Sequence, residues 1–160
     1  MSLYDKIATL ESLELLLLAW KSTNKKIVFT NGCFDLLHKG HVDYLEKTKK
    51  LGDILIVGLN SDHSVSEIKG KNRPIQDESS RLAVVAALAA VDVTLIFSET
   101  TPIELIKTIK PDVLCKGGDW PIEKIIGAEF VQSYGGKVKT IPFINGYSTS
   151  NIEQKIRDQK

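Results

Sequence analysis

Cysteine is scarce in this chain of 160 residues, and long apolar runs are missing from it. The two cysteines, Cys33 and Cys115, form no Cys-x-x-Cys motif and no disulfide framework, which is typical of a reduced, cytoplasmic protein. The longest apolar run near the start covers residues 15–20 and falls far short of the roughly 20 residues that cross a bilayer. It has no basic leader and no small-residue cleavage site, so we expect neither a signal peptide nor a membrane partner.

An excess of charge is also missing, since 21 basic residues stand against 20 acidic ones and the formal net charge is +1. The lysines are scattered among the acids, which argues against a nucleic-acid partner and leaves room only for a local cationic site. Two common phosphate-binding motifs are absent as well. Neither G-x-G-x-x-G nor G-x-x-x-x-G-K-[ST] occurs, which counts against dehydrogenases and P-loop enzymes.

What the chain does contain is an alternation of short apolar runs with helical stretches. Its length suits one domain with one core, which we expect to span residues 1–160. Leucines at helical spacing and Trp20 predict an amphipathic helix within residues 1–25, packed on a core formed by residues 26–160. The strand-like runs lie at residues 27–29, 54–57, 93–97, 113–114 and 138–141.

The predicted helices lie between and after these runs, at residues 42–50, 78–90, 103–109, 123–134 and 150–158. Compact apolar runs indicate strands that are covered on both faces. Their alternation with helices predicts an α/β fold, a Rossmann-like open parallel five-stranded sheet with helices on both faces. Capping boxes at residues 101–104 and 150–153 predict two helix starts, and Gly135-Gly136 predicts the end of the helix before the last strand.

The segment that carries chemistry is residues 30–41, which read TNGCFDLLHKGH and lead from the first strand into a helix. Ligands of open α/β sheets bind at that position. Gly32 and Gly40 allow the backbone to approach a phosphate, which the free N–H groups of a helix start would attract. His38 and His41 are three residues apart, so both imidazoles can point to one side and donate to the same anion.

A lone His-x-x-His is more often coincidence than a site, but the whole arrangement is specific. Strand, glycine loop, Phe-Asp and His-x-Gly-His resemble the signature of the HxGH nucleotidyltransferase (cytidylyltransferase-like) superfamily from about residue 26 to the C-terminal helix. The resemblance is closest to the D-glycero-D-manno-heptose 1-phosphate adenylyltransferases, the ADP-heptose synthases of lipopolysaccharide core biosynthesis. It rests on the segments NGCFDLLHKGHVDYL, IVGLNSD, KGKNRPI, TPIELIKTIKPDVLCKGGDW and GYSTSNI.

The resemblance implies transfer of AMP from ATP to heptose 1-phosphate, giving ADP-heptose and pyrophosphate. Mg²⁺ would arrive with ATP, and no metal ligands are expected in the protein. The resemblance assigns catalytic roles to His38, His41 and Lys69. It assigns the binding of the sugar phosphate to Asp35 and Arg73. The expected nucleotide-binding residues are Asn31, Gly32, Cys33, Phe34, Gly40, Lys116, Gly118, Asp119, Tyr147, Ser148 and Thr149, with the base and ribose near Asp119, Trp120 and Tyr147.

Many members of the family carry this domain fused to a sugar kinase. This sequence contains no kinase half, so we expect a separate heptose kinase to supply the sugar phosphate. A homodimer is a further expectation, since small α/β transferases often form symmetric dimers.

Two other functions stay open on the sequence. One is a cytidylyltransferase acting on an alcohol phosphate such as glycerol 3-phosphate, although those enzymes typically carry Arg-Thr-Glu-Gly where residues 143–146 here read Phe-Ile-Asn-Gly. The other is a non-catalytic nucleotide-binding module, which would not require an imidazole pair. A nucleophilic Cys33 is disfavoured because no thiol-enzyme pattern accompanies it, and a zinc site from Cys33, His38 and His41 lacks a fourth ligand.

Overall fold

Five parallel strands form one open sheet in the computed structural model, which describes residues 2–159. The strand order is β3-β2-β1-β4-β5, which confirms the predicted Rossmann-like α/β fold. The two end residues of the expected domain, Met1 and Lys160, lie outside the described residues. The strands are β1 (Ile27–Gly32), β2 (Ile54–Asn60), β3 (Val93–Phe97), β4 (Val113–Gly117) and β5 (Lys137–Ile141).

Helices cover both faces of this sheet. Because side chains alternate along a strand, Phe29 of β1 belongs to a core cluster with three of the helices, while Val28 belongs to a second cluster with two others. None of the helices in residues 2–159 has the length and apolar composition that a bilayer crossing demands. The α-helices are α1 (Leu10–Ser22), α2 (Lys39–Lys49), α3 (Asp62–Lys69), α4 (Glu78–Ala86), α5 (Ile103–Ile109), α6 (Ala128–Ser133) and α7 (Thr149–Asp158).

The predicted amphipathic helix near the start is confirmed as α1. Leu13 and Leu17 are buried in the first core cluster, and Leu16 and Trp20 pack against it. The helix therefore contributes to the core of the fold.

The prediction that every strand is covered on both faces is wrong for β5. This strand lies at the edge of the sheet, and Lys137 and Lys139 are exposed while Val138 between them is buried. Buried and exposed side chains alternate in this way in an edge strand that has one face in contact with solvent.

Several predicted helix boundaries are wrong. Helix α4 ends at Ala86, and the stretch 123–134 divides into a 3-10 helix (Ile122–Lys124) and α6. The break lies at Gly127, where φ is +88° and an added Cβ would lie 2.6 Å from a methyl carbon of Ile106. A glycine is required there because the backbone is left-handed and touches the core.

Both predicted capping boxes are also wrong. Helix α5 starts after Pro102, which provides no side-chain cap. Helix α7 is capped by Ser148 rather than by the predicted Ser150, and the Ser148 Oγ accepts the N–H of Asn151 at 3.0 Å. The predicted helix end at Gly135-Gly136 is confirmed, since α6 ends before Gly135, where φ is +86°.

Helix α3 was not predicted. Ser61 caps its start by accepting the N–H of Ser64 at 3.2 Å, and Gly70, with φ at +101°, ends it. Lys69, the first residue of the segment KGKNRPI, is therefore the last residue of α3, and the helix fixes its backbone.

Candidate active site

The winding of the sheet reverses between β1 and β4, which are neighbours in space but not consecutive in sequence. The chain leaves β1 toward α2 on one face and leaves β4 toward α6 on the other. The two connections diverge and leave a crevice at the carboxyl ends of the strands, where open α/β sheets bind ligands.

Two cavities meet at this crevice, and Asn31 and Lys116 line both of them. The first, called the His41 cavity here, has a volume of about 180 Å³, and its other walls are residues 32–35, His41, Tyr44, Lys69, Gly117, Phe143 and Thr149. The second, the Trp120 cavity, has a volume of about 250 Å³ and a mainly apolar wall of Pro102, Leu114, Trp120, Lys124, Ile125 and Ile126.

The two histidine rings are stacked at the start of α2. Their centroids are 3.9 Å apart and their planes differ by 28°. The N–H of Gly40 donates to Nδ1 of His38 at 3.1 Å, and the N–H of His38 donates to Nδ1 of His41 at 3.4 Å. Each Nδ1 is thus an acceptor, which places the proton of a neutral imidazole on Nε2. Both rings can therefore donate from Nε2 to an anion.

Burial keeps both imidazoles uncharged near neutral pH. It lowers the pKa of His38, and it lowers the pKa of His41 to about 4, with His38 and Lys69 acting in the same direction. The neutral rings can stack without repulsion. Fixed N–H donors of this kind need no reorganisation when a phosphate oxygen gains charge in a transition state.

A side chain would meet close neighbours at two glycines of this segment. An added Cβ at Gly40 would lie 2.9 Å from Nδ1 of His38, so any larger residue would displace the ring that caps the helix. At Gly32 an added Cβ would lie 3.0 Å from the ring of Phe34, which covers it. Phe34 itself has φ at +48°, a left-handed conformation that costs a non-glycine residue free energy and occurs often at functional sites.

A third cavity, called the Tyr147 cavity here, lies on the other side of the imidazole pair. It has a volume of about 270 Å³ and is lined by His38, Lys39, residues 146–148, Asn151, Ile152 and Lys155. The start of α7 therefore lies beside His38. The His41 cavity and the Tyr147 cavity thus each contain one imidazole of the pair.

This combination of glycine loop, imidazole pair and helix start is matched by a family model. The model for cytidylyltransferase-like proteins covers residues 29–155. This chain belongs to the cytidylyltransferase-like family.

Curated relatives of this cytidylyltransferase-like chain include the bifunctional protein HldE of Geotalea uraniireducens, which is 52% identical over 95% of this chain and 31% of its own length. The bifunctional protein HldE of Geobacter metallireducens is 53% identical over 94% of this chain and 31% of its own length. The chain thus spans about a third of the length of these relatives.

Two solved structures are similar to this cytidylyltransferase-like fold. The lipopolysaccharide core biosynthesis protein from Thermoplasma volcanium has a TM-score of 0.60 and 35% identity, over 78% of this chain and 99% of that one. The pantothenate synthetase from Thermus thermophilus has a TM-score of 0.66 over 96% of this chain and 70% of that one. At 12% identity, the second likeness concerns the fold alone.

The cytidylyltransferase-like crevice contains two lysines that pair with no carboxylate of residues 2–159, Lys69 and Lys116. Lys69 is exposed at the end of α3 and lines the His41 cavity. Lys116 lies at the divide between the two cavities, and burial lowers its pKa. Both ammonium groups are available to an anionic ligand.

Arg73 and Asp35, the predicted sugar-phosphate residues, contact each other. Nη1 of Arg73 donates to Asp35 at 2.8 Å, and Nη2 donates to Glu153 of α7. The Asp35 carboxylate also accepts the N–H groups of Ile75 and Gln76 at 2.9 Å. Burial would raise the pKa of Asp35, but these N–H groups and Arg73 hold it below its usual value. The cluster joins residues 30–41 to α7, and a contact with sugar phosphate stays a prediction.

Arg81 is a site residue that the sequence reading missed. It is 1% exposed, and it donates to the carbonyls of Cys33 at 2.7 Å and Gln76 at 3.0 Å and to Asp62 at 2.8 Å. One buried guanidinium thus holds the loop after β1 against the residues before α4. The signal that could have indicated it is a charged residue directly before the apolar run LAVVA of α4.

The base and ribose residues predicted together lie apart. Asp119 is exposed after Gly118, whose φ is +99°, and Trp120 lines the Trp120 cavity. Tyr147 lines a different cavity, where the Lys39 ammonium lies 5.5 Å from its ring centroid. The two aromatic rings therefore do not flank one pocket in this structure.

The Cys33 thiol lines the His41 cavity, and its hydrogen-bond partner among residues 2–159 is an amide oxygen rather than a histidine. Burial raises its pKa, which disfavours the thiolate, and its contact is Oδ1 of Asn60 at 4.0 Å. The expectation that this thiol is dispensable for chemistry stays a prediction. Among residues 2–159 no group of three His, Cys, Asp or Glu side chains is arranged to hold a metal ion.

Proposed function

We propose that this chain is an adenylyltransferase that transfers AMP from ATP to D-glycero-D-manno-heptose 1-phosphate and releases pyrophosphate and ADP-heptose. The observation that carries the proposal is the stacked pair His38 and His41, which is neutral and has each Nδ1 occupied by a backbone N–H. Similarity to a lipopolysaccharide core biosynthesis protein supports the choice of a heptose substrate.

In the proposed reaction an oxygen of the sugar phosphate attacks the α-phosphorus of ATP. A new P–O bond forms, the bond between the α-phosphorus and its bridging oxygen breaks, and the electron pair leaves with pyrophosphate. The acceptor already carries the nucleophile, so the protein contributes alignment and charge stabilisation. Nε2–H of His38 and His41 would donate to oxygens that gain charge, and Lys69 and Lys116 would neutralise phosphates.

Ser148, Thr149 and the start of α7 would bind the β- and γ-phosphates. The Thr149 hydroxyl donates weakly to the carbonyl of Leu36 at 3.4 Å, so a phosphate oxygen can compete for it. Mg²⁺ would enter as part of MgATP. The crevice fits this arrangement because it presents ammonium and imidazole groups to the phosphates, and Mg²⁺ commonly binds substrate phosphates and water rather than a protein cage.

The adenine base is assigned to the Trp120 cavity, with the ribose near Asp119. The mainly apolar wall and the exposed indole suit a flat aromatic ring, and a carboxylate can accept ribose hydroxyl hydrogen bonds. On this assignment Asp119→Ala raises the KM for ATP by the equivalent of about 1–3 kcal/mol and changes the KM for the sugar phosphate less.

The deciding experiment measures pyrophosphate release with ATP and CTP over a panel of sugar phosphates and glycerol 3-phosphate. We expect release with ATP and heptose 1-phosphate and none when the acceptor is omitted. A preference for CTP and an alcohol phosphate would establish the cytidylyltransferase alternative. Tight ATP binding without release with any acceptor would establish a non-catalytic nucleotide-binding module.

The proposal also covers the cellular compartment and the source of the sugar phosphate. We place the reaction in the cytoplasm, which the free thiols of Cys33 and Cys115 support. The sugar phosphate would come from a heptose kinase, since the substrate must already carry its phosphate before transfer.

A further inference from the structure

A large groove lies at the amino ends of the strands, on the opposite side of the sheet from the candidate active site. It has a volume of about 720 Å³ and is formed where β1, β4 and β5 begin and where α1, α5 and α6 end. Strands of five or six residues separate it from the crevice by roughly 17 Å or more at about 3.3 Å per residue. Its lining residues are Lys21, Asn24, Lys25, Lys26, Lys110, Asp112, Tyr134, Gly135, Gly136 and Lys137.

Five lysines and one aspartate give this groove a formal charge of +4, while the whole chain carries only +1. The lysines belong to three separate segments, which is why the sequence shows no basic stripe. None of the five pairs with a carboxylate of residues 2–159. The carboxylate of Asp112 is already used, because it accepts the N–H of Ile27 at 2.7 Å.

The C-termini of three helices offset only part of this positive charge. A helix C-terminus is equivalent to about half a unit of negative charge, so α1, α5 and α6 together offset roughly one and a half of the four positive charges. Lys21 occupies such a position, since its ammonium donates to the carbonyl of Ile109 at 3.0 Å. Burial lowers the pKa of Lys21, the neighbouring Lys110 acts in the same direction, and Asp112 opposes them.

Lys110 is held in an unusual conformation that directs it into the groove. Its φ is +49° at the left-handed residue after α5, a position that glycine or asparagine occupies at lower cost. Its ammonium lies 5.0 Å from the ring centroid of Tyr134, on the groove wall. Backbone preference alone would favour glycine or asparagine at residue 110. A lysine is expected there when a function requires its charge.

We propose that this groove binds a compact polyphosphate, such as the triphosphate group of a small molecule, at a site separate from the crevice. The volume lies in the range of small-molecule sites, roughly 300–1,000 Å³. The lysines surround a bounded concavity, and the remainder of the chain is formally negative, which disfavours an extended polyanion such as nucleic acid. This site goes beyond the proposed function and does not depend on it.

The test is a titration of the ¹⁵N-labelled chain with inorganic tripolyphosphate, followed by the amide signals of Lys110, Gly135, Gly136 and Lys137. We expect saturable shifts at these amides that are separable from shifts at Gly32 and Gly40 in the crevice. The double variant Lys110→Asn, Lys137→Gln should weaken binding in the groove by at least about tenfold. Asparagine is chosen at residue 110 because it tolerates the left-handed backbone.

The matched control is Lys50→Gln, Lys107→Gln, which removes the same charge from exposed lysines outside the groove. It should leave groove binding within about twofold of the wild type, as expected for surface charges screened by salt. Absence of saturable shifts at the groove amides, or equal weakening in the control, would overturn the proposal. Saturation by a single-stranded oligonucleotide or an acidic peptide, with none by tripolyphosphate, would also overturn it and assign the groove to a macromolecule.

Discussion

At the scale of single residues, the candidate site depends on where two imidazole protons lie. Backbone N–H groups occupy Nδ1 of His38 and of His41, so each ring keeps its proton on the nitrogen that can reach a ligand. We expect His38→Ala and His41→Ala to lower turnover by about 10²- to 10³-fold, the usual cost of one preorganised donor. Steady-state kinetics test this, with circular dichroism to establish that each variant is folded.

The control for these variants is Glu46→Gln, an exposed change on the same helix. It should leave turnover near the wild-type value. A folded His38 or His41 variant with undiminished turnover would remove that histidine from the mechanism.

The same burial makes stability depend on pH. The pKa of His41 is about 4 in the folded chain and about 6.5 in an unfolded one, so between these values the unfolded state binds more protons. The contribution of a neutral His41 to stability is therefore complete above pH 6.5 and is lost as the pH falls toward 4. We expect the free energy of unfolding to decrease less between pH 7 and 4.5 in His41→Gln than in the wild type, measured by urea denaturation. Equal slopes would contradict the assigned pKa.

At the scale of secondary-structure elements, α1 illustrates how spacing predicts burial. Leu13 is 0% exposed in the core and Leu15, two positions along the helix, is 69% exposed. Leu13→Ala should lower the free energy of unfolding by about 2–5 kcal/mol through the cavity it leaves. The matched variant Leu15→Ala should change it by less than about 0.5 kcal/mol. Similar losses in both variants would mean that α1 does not pack as described.

Other elements could not be predicted from local pattern. Helix α3 is short and mostly polar, and its start depends on the Ser61 cap after β2. The break before α6 depends on contact between Gly127 and Ile106, which lie far apart in the sequence. Periodicity detects helices with a long apolar face, and it misses short ones that are positioned by caps and core contacts.

At the scale of the whole molecule, the Arg73 guanidinium joins three distant parts of the chain. It binds Asp35 after β1 and Glu153 in α7, and so holds the last helix over the crevice. Glu153→Gln weakens this contact without removing a group that lines the crevice. We expect faster hydrogen exchange in α7 and a higher KM for ATP, because Ser148 and Thr149 at the start of α7 lose their position.

The control for this variant is Glu129→Gln, an exposed change in α6, which should alter neither hydrogen exchange in α7 nor the KM. If Glu153→Gln leaves exchange in α7 unchanged, the ion pair does not position the helix. An altered KM with unchanged exchange would instead indicate direct contact between Glu153 and the substrate.

The sequence by itself determined the α/β sheet, the buried face of α1 and the imidazole pair at the start of α2, because each depends on residues close together in the chain. Only the tertiary structure decided which charged side chains form ion pairs and which have no carboxylate partner among residues 2–159. It paired Arg73 with Asp35 and Glu153, left Lys69 and Lys116 at the crevice, and gathered five lysines in one groove. Charge pairing depends on distance in space, and in a wound sheet residues 80 positions apart become neighbours, as Arg73 and Glu153 do.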